Sequence, residues 1–124
     1  MKKILIIDDE PNIIEIIHFF ISELGYSSDR AHSGESALEK IKQTDYWAIM
    51  CDLQMPGLNG MQIYDHVNEI QQELSQKFIL LTGSLLDESM ETKATNQNIK
   101  VLMKPFHFEN VKKIFSDLET ATVH

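Results

Sequence analysis

The sequence predicts an α/β fold of the (βα)5 kind, a five-stranded parallel sheet with helices on both faces. Strand-like and helix-like segments alternate five times along the 124 residues. Three of the strand-like segments, residues 4–7, 47–52 and 78–82, are nearly continuous apolar runs. Such runs mark strands covered on both faces, and the alternation implies right-handed crossovers. Each run stops at a polar residue, and open α/β sheets bind ligands beyond the carboxyl ends of their strands.

Ile4-Leu5-Ile6-Ile7 opens the chain as a buried strand, ended by Asp8-Asp9-Glu10. Pro11 suits the first turn of a helix. Ile13, Ile16, Ile17, Phe20, Ile21 and Leu24 recur at helical spacing up to a stop at Gly25. A polar segment, 27–31, reads as an edge strand. Ser33-Gly34-Glu35 starts a second helix, with Ala37, Leu38 and Ile41 inward. Strand three ends at Asp52, and a Met55-Pro56-Gly57 turn follows. Met61, Ile63, Tyr64, Val67 and Ile70 mark helix three. Strand four, 78–82, closes on Thr82-Gly83-Ser84. Residues 85–95 form a poor helix, because Thr, Ser and Asn compete for backbone hydrogen bonds. Strand five, 99–103, stops at Lys104-Pro105. The last helix spans 109–119, with Val111, Ile114, Phe115 and Leu118 inward. The expectation is one domain, 1–124, without linker, repeat or output module.

Composition narrows the function classes. The formal charge is −8, with 11 Lys+Arg against 19 Asp+Glu. A nucleic-acid surface needs clustered basic residues, and none is present. The amino-terminal Met1-Lys2-Lys3 and its apolar run imitate a signal peptide, but the run is too short and ends in acids. No stretch approaches membrane-spanning length. The single cysteine, Cys51, excludes an internal disulfide framework and suits a reducing, cytoplasmic setting. It reads as a buried structural thiol. His18, His32, His66, His107 and His124 show no metal-ligand spacing.

The topology brings four strand ends together: Asp8/Asp9, Asp52, Thr82 and Lys104. Close carboxylates repel and call for a cation; an all-oxygen site suits Mg²⁺. Phosphoryl transfer needs a nucleophile and positive charge on the phosphoryl oxygens. Asp52 can be the nucleophile, giving an acyl phosphate. Lys104 and the metal would hold two oxygens, and the Thr82 hydroxyl a third.

These residues, with Gly60 beyond the turn and Lys104-Pro105-Phe106, resemble the receiver domain of bacterial response regulators along essentially the whole chain. The resemblance implies a flavodoxin-like doubly wound sheet of order 2-1-3-4-5. It implies that Asp52 accepts phosphate from a histidine kinase or histidine phosphotransfer protein, and that the chain is no turnover enzyme. Asp9 would bind Mg²⁺ directly, Asp8 through water, and the Gln54 backbone carbonyl would be a further ligand beside Asp52. Thr82 would move toward the phosphoryl group, and Lys104 would pair with it. The Lys104-Pro105 bond would be cis. A downstream protein partner is expected, with the chain a monomer or weak dimer. Gln54 and Ser84 stand where the family tunes phosphate lifetime. The family's usual aromatic three residues before the lysine is Val101 here, which excludes an aromatic-rotamer switch. A small aliphatic there is familiar in receivers of hybrid sensor kinases. Ile13 and Ile14 beside the acidic pair read as core or rim packing, or as a docking face for a partner's helices. Trp47, on the strand of Asp52, is expected to report metal or phosphate by fluorescence.

Two other classes fit the sequence poorly. An aspartate-nucleophile phosphatase of another α/β family needs an Asp-x-Asp pattern after strand one, which Asp8-Asp9-Glu10-Pro11 does not supply. A flavodoxin-like nucleotide binder needs a Gly/Ser/Thr-rich loop there, and three acids would repel its phosphate.

Overall fold

A computed structural model of the chain describes residues 2–121. Met1 and His124, both considered above, lie outside the described residues. Five parallel strands form one sheet of order β2-β1-β3-β4-β5. They are β1 (Lys3–Ile7), β2 (Ser27–Ala31), β3 (Ala48–Asp52), β4 (Phe78–Thr82) and β5 (Lys100–Met103). The helices are α1 (Pro11–Glu23), α2 (Gly34–Gln43), α3 (Gly60–Ile70), the short α4 (Gln72–Ser75), α5 (Glu88–Gln97) and α6 (Phe108–Ala121).

The three central strands are buried on both faces, as their uninterrupted apolar runs require. Successive side chains point to opposite faces of a strand. Leu5, Ile7, Ile49, Cys51, Phe78 and Leu80 therefore pack with α2 and α3, notably with Ala37, Ile41, Ile63 and Val67. Ile4, Ile6, Ala48, Met50, Ile79 and Leu81 pack with Ile14, Ile17 and Ile21 of α1 and Val111, Phe115 and Leu118 of α6. The polar β2 lies at one edge, where Asp29 and Arg30 meet Lys3 and Glu15 at the surface.

Local sequence sets the helix starts. Ser33 caps α2, accepting from the Ser36 amide at 3.1 Å. Asn59 and Gln62 form a reciprocal capping box at α3, with both bonds at 2.9 Å. Four expectations need correcting. Helix α5 starts at Glu88 rather than at Leu85, because the Asp87 carboxylate accepts the Met90 amide at 2.8 Å. It then runs to Gln97, where Asn98 stops it in the left-handed region at φ 61°. One extra turn of helix, α4, follows α3. Finally, Ile16 and Ile70, both counted in apolar stripes, are exposed. Ile14 rather than Ile16 completes the buried stripe of α1.

Candidate functional site

Register places the site. Ile7 of β1 pairs with Cys51 of β3, Asp52 pairs with Leu81 of β4, and Thr82 pairs with Met103 of β5. The residues that follow these positions leave the same end of the sheet together. Main-chain bonds fix the exits. The Leu53 amide donates to the Leu81 carbonyl at 2.8 Å, and the Lys104 amide donates to that of Thr82 at 2.7 Å. The Asp8 amide donates to the Ala31 carbonyl at 3.1 Å.

The turn after β3 is tight because glycines permit it. Gly57 has φ +78°, which a side chain rarely tolerates. A Cβ on Gly60 would lie 2.6 Å from the Asp52 carbonyl oxygen and 2.8 Å from Leu80 Cδ1. The start of α3 therefore presses directly on the residue that carries the central carboxylate.

Four carboxylates meet here. Asp8, Asp9, Glu10 and Asp52 each offer an oxygen, and these atoms lie within 4.8 Å of one another. Asp8 is fully buried and Asp52 is 5% exposed, whereas Asp9 and Glu10 face solvent. The Glu10 amide donates to Asp8 Oδ1 at 2.9 Å. Lys104 is the cation facing them. Its Nζ lies 3.1 Å from Asp8 Oδ2, 3.4 Å from Asp52 Oδ1 and 3.7 Å from Glu10 Oε1.

The titration directions follow from that geometry. Burial, which removes solvating water, pushes the Asp8 and Asp52 carboxyls above the usual carboxylate range. The Asp8 charge adds to the effect at Asp52, while Lys104 opposes it at both. Burial alone would lower the Lys104 ammonium; its hydrogen bond to Asp8 and the charges of Asp8, Asp52 and Glu10 outweigh that and raise it. The site is thus short of positive charge. An all-oxygen donor set of this kind, partly open to water, fits a hard divalent cation such as Mg²⁺.

Thr82 is 1% exposed at the end of β4. Its hydroxyl donates to the Ser84 carbonyl at 2.8 Å and accepts the Ser84 amide at 3.2 Å. It is therefore engaged by its own turn rather than by the carboxylates. Gln54 follows β3 at an exposed position, and its amide bonds the Asp52 carboxylate. The Lys104-Pro105 bond is cis. Cys51 is buried and its thiol donates to the Asp52 carbonyl at 3.4 Å. Burial, with Asp52 and Asp8 nearby, pushes that thiol well up, as suits an inert structural cysteine.

Two expectations change. Glu10, an acid of the Asp8-Asp9-Glu10 run with no separate role expected from sequence, joins the Lys104 ion-pair group; its adjacency to Asp8-Asp9 is the signal for it. Trp47 does not sit near the carboxylates. It precedes β3 at the opposite end of the sheet, stacked on Tyr26 and Phe115 with Lys2 over its ring. Five steps along the chain, of about 3.3 Å each, separate it from Asp52 at the far end of β3.

Comparison with known proteins follows the same pattern. The response regulator ArlR of Staphylococcus haemolyticus is 28% identical over 111 residues, covering 90% of this chain and 49% of that protein. The response regulator receiver protein CpdR of Brucella abortus is 25% identical over 90% of this chain and 91% of its own length. The chain thus spans about half of ArlR and nearly all of CpdR. The response regulator TrrA of Thermotoga maritima, solved with Mg²⁺-BeF, is 31% identical and superposes with a TM-score of 0.81 over 95% of this chain and 99% of TrrA. TrrA has also been solved in complex with the histidine kinase ThkA; that superposition gives 33% identity and a TM-score of 0.82, over 95% of this chain and 98% of TrrA. The model of the response regulator receiver domain matches residues 4–116, and this chain belongs to that family.

Proposed function

We propose that this chain is a phosphoacceptor signalling module in which Asp52 takes a phosphoryl group from the phosphohistidine of a histidine kinase or histidine phosphotransfer protein. The observation that carries the reading is the Lys104 ammonium set between two buried carboxylates, Asp8 and Asp52, at the carboxyl end of the sheet. That arrangement couples a nucleophile to a cation positioned for phosphoryl oxygens.

Asp8, Asp9, Asp52 and the Gln54 backbone carbonyl would hold Mg²⁺. When bound, the ion neutralises charge on the carboxylates and on the transferring phosphoryl group. An Asp52 carboxylate oxygen attacks phosphorus as the phosphorus–nitrogen bond breaks, and the electron pair leaves with the donor imidazole. Lys104 shifts its partnership from Asp52 to a phosphoryl oxygen. The Thr82 hydroxyl leaves Ser84 and donates to another. The protein is modified rather than turned over, so it acts as an acceptor and not as an enzyme in the usual sense. The phosphorylated form is read by a protein partner.

Residues 1–124 are proposed as one receiver domain. The complex of TrrA with ThkA supports a kinase partner of the same kind. Among the described residues no helix is long and apolar enough to cross a membrane, and the reading places the module in the cytoplasm. The test is incubation with Mg²⁺ and acetyl phosphate. One base-labile phosphate by intact mass is expected on the wild type, and none on Asp52→Asn. No adduct on the wild type, or one retained by the variant, overturns the assignment.

A further inference from the structure

Glu10 is the one acid of the cluster whose side chain neither the fold nor the proposed transfer uses. Its main chain is committed. The amide donates to Asp8 Oδ1 at 2.9 Å, and the carbonyl accepts the Ile13 and Ile14 amides at 3.1 and 3.3 Å. Glu10 stands at the N-cap of α1, yet its side chain makes no capping bond. The carboxylate turns instead to the mouth of the site, where Oε1 lies 3.7 Å from Lys104 Nζ. Among the described residues that is its only ion pair, and the side chain stays 63% exposed. An ion pair so open to water adds little to stability.

What remains is the charge. Glu10 places a fourth carboxylate within 4.8 Å of those of Asp8, Asp9 and Asp52, and one ammonium, that of Lys104, faces them. Four carboxylates against one ammonium leave a formal charge of −3, and a bound divalent cation still leaves −1. Without Glu10 the metal-loaded mouth would be formally neutral. Asp8 and Asp52 are buried, so an incoming anion meets the exposed acids first. Of those two, Asp9 is the proposed metal ligand, and Glu10 is left to act on the donor.

We propose that Glu10 is a specificity-determining residue: its carboxylate disfavours free dianionic phosphodonors and so reserves Asp52 for a phosphohistidine carried on a protein. The discrimination comes from a repulsive element rather than from an added contact. A small dianion has no other binding energy to offset the repulsion, whereas a docked protein gains its energy over a whole interface. The inference rests on the proposed role of Asp52, and deepens it by naming the donors that the site refuses.

The test compares two small donors by the time course of the mass adduct, at a Mg²⁺ concentration that titration calorimetry shows to be saturating for each variant. Acetyl phosphate is a dianion at neutral pH; phosphoramidate, with its nitrogen protonated, is a monoanion. An Asp52 oxygen bonds to phosphorus as the phosphorus–oxygen bond to acetate or the phosphorus–nitrogen bond breaks, and the electron pair leaves on acetate or on ammonia. Glu10→Gln is expected to raise the second-order rate constant with acetyl phosphate about threefold to tenfold, and that with phosphoramidate by clearly less, since one charge is removed opposite a dianion in the first case and a monoanion in the second. Added salt should shrink the difference. Glu10→Asp, which keeps the charge, should keep the wild-type ratio between donors. An unchanged ratio in Glu10→Gln, including an equal gain with both donors, overturns the role of Glu10 and leaves the acceptor role standing. No adduct on the wild type from either donor overturns the acceptor role, and the inference about Glu10 falls with it.

Discussion

The Lys104 ammonium donates to Asp8 Oδ2 at 3.1 Å across 96 positions of sequence. The acceptor is fully buried, and the donor side chain is 16% exposed. This contact ties the end of the edge strand β5 to the end of β1, and it spans the mouth in which Asp52 sits. Removing Lys104 leaves buried like charges without their cation. Lys104→Met is expected to destabilise the metal-free protein by on the order of 3 kcal/mol. Urea unfolding of both proteins with and without Mg²⁺ checks this. Added Mg²⁺ should recover part of the loss, since it binds only the folded carboxylate cluster.

Acid dependence follows from the two buried carboxyls. Both are raised in the folded protein, chiefly by burial. A raised acid contributes stability that is fully present below its unfolded value, 3.8, and is lost as pH rises through the folded value. The metal-free protein should therefore lose this contribution as pH rises from 3.8 through the raised values. Mg²⁺ affinity should climb over the same interval, with protons released on binding. Calorimetric titrations in two buffers of different ionisation enthalpy measure those protons. Proton-independent binding across that interval would contradict the assignment.

Asp52→Asn keeps the shape and removes one of the repelling charges. Besides abolishing the acetyl phosphate adduct, it should raise the stability of the metal-free protein at neutral pH, on the order of 1 kcal/mol. Thermal unfolding in a chelator measures that gain, and a loss of stability would mean that Lys104 depends on Asp52 more than on Asp8.

Asp9 faces solvent, unlike Asp8. Asp9→Ala should cost little stability, within about 0.5 kcal/mol, while weakening Mg²⁺ binding by about tenfold or more. Titration calorimetry is the suitable readout, because Trp47 stacks at the far end of the sheet. Unchanged Mg²⁺ affinity would remove Asp9 from the proposed ligand set.

Gly60 tests how the backbone holds the acceptor. A methyl group there would meet the Asp52 carbonyl oxygen at 2.6 Å, so strand or helix must move. Gly60→Ala should cost about 2 kcal/mol and slow phosphorylation by acetyl phosphate, as seen in unfolding curves and in the time course of the mass adduct. A variant with native stability and rate would show that α3 is free to shift.

Much of the site was legible in the linear sequence because parallel strands buried on both faces read as apolar runs with abrupt ends. Asp8, Asp9, Asp52, Thr82 and Lys104 are strand-end residues, and the topology of such sheets sends those ends to one place. Glu10 was legible as an acid but not as a partner of Lys104, since only the closure of β5 onto β1 brings the two together. The helix expected over 85–95 starts instead at Glu88, because the Asp87 side chain decides where the backbone amides are first satisfied. Ile16 and Ile70 fit helical periodicity yet lie outside the buried stripe, because periodicity gives a stripe's direction and not its width.

The sequence by itself determined the strand order of chemistry along the chain: which residue types end each strand, and therefore that acids, a hydroxyl and a lysine share one end of a parallel sheet. Local composition sufficed, since burial patterns and turn residues act over a few positions. The tertiary structure alone decided which charges touch, that Asp8 rather than Asp52 is the nearer partner of Lys104, and that the Thr82 hydroxyl is held by Ser84. Those outcomes depend on distances between residues far apart in sequence, and on how much water each keeps once the sheet has closed.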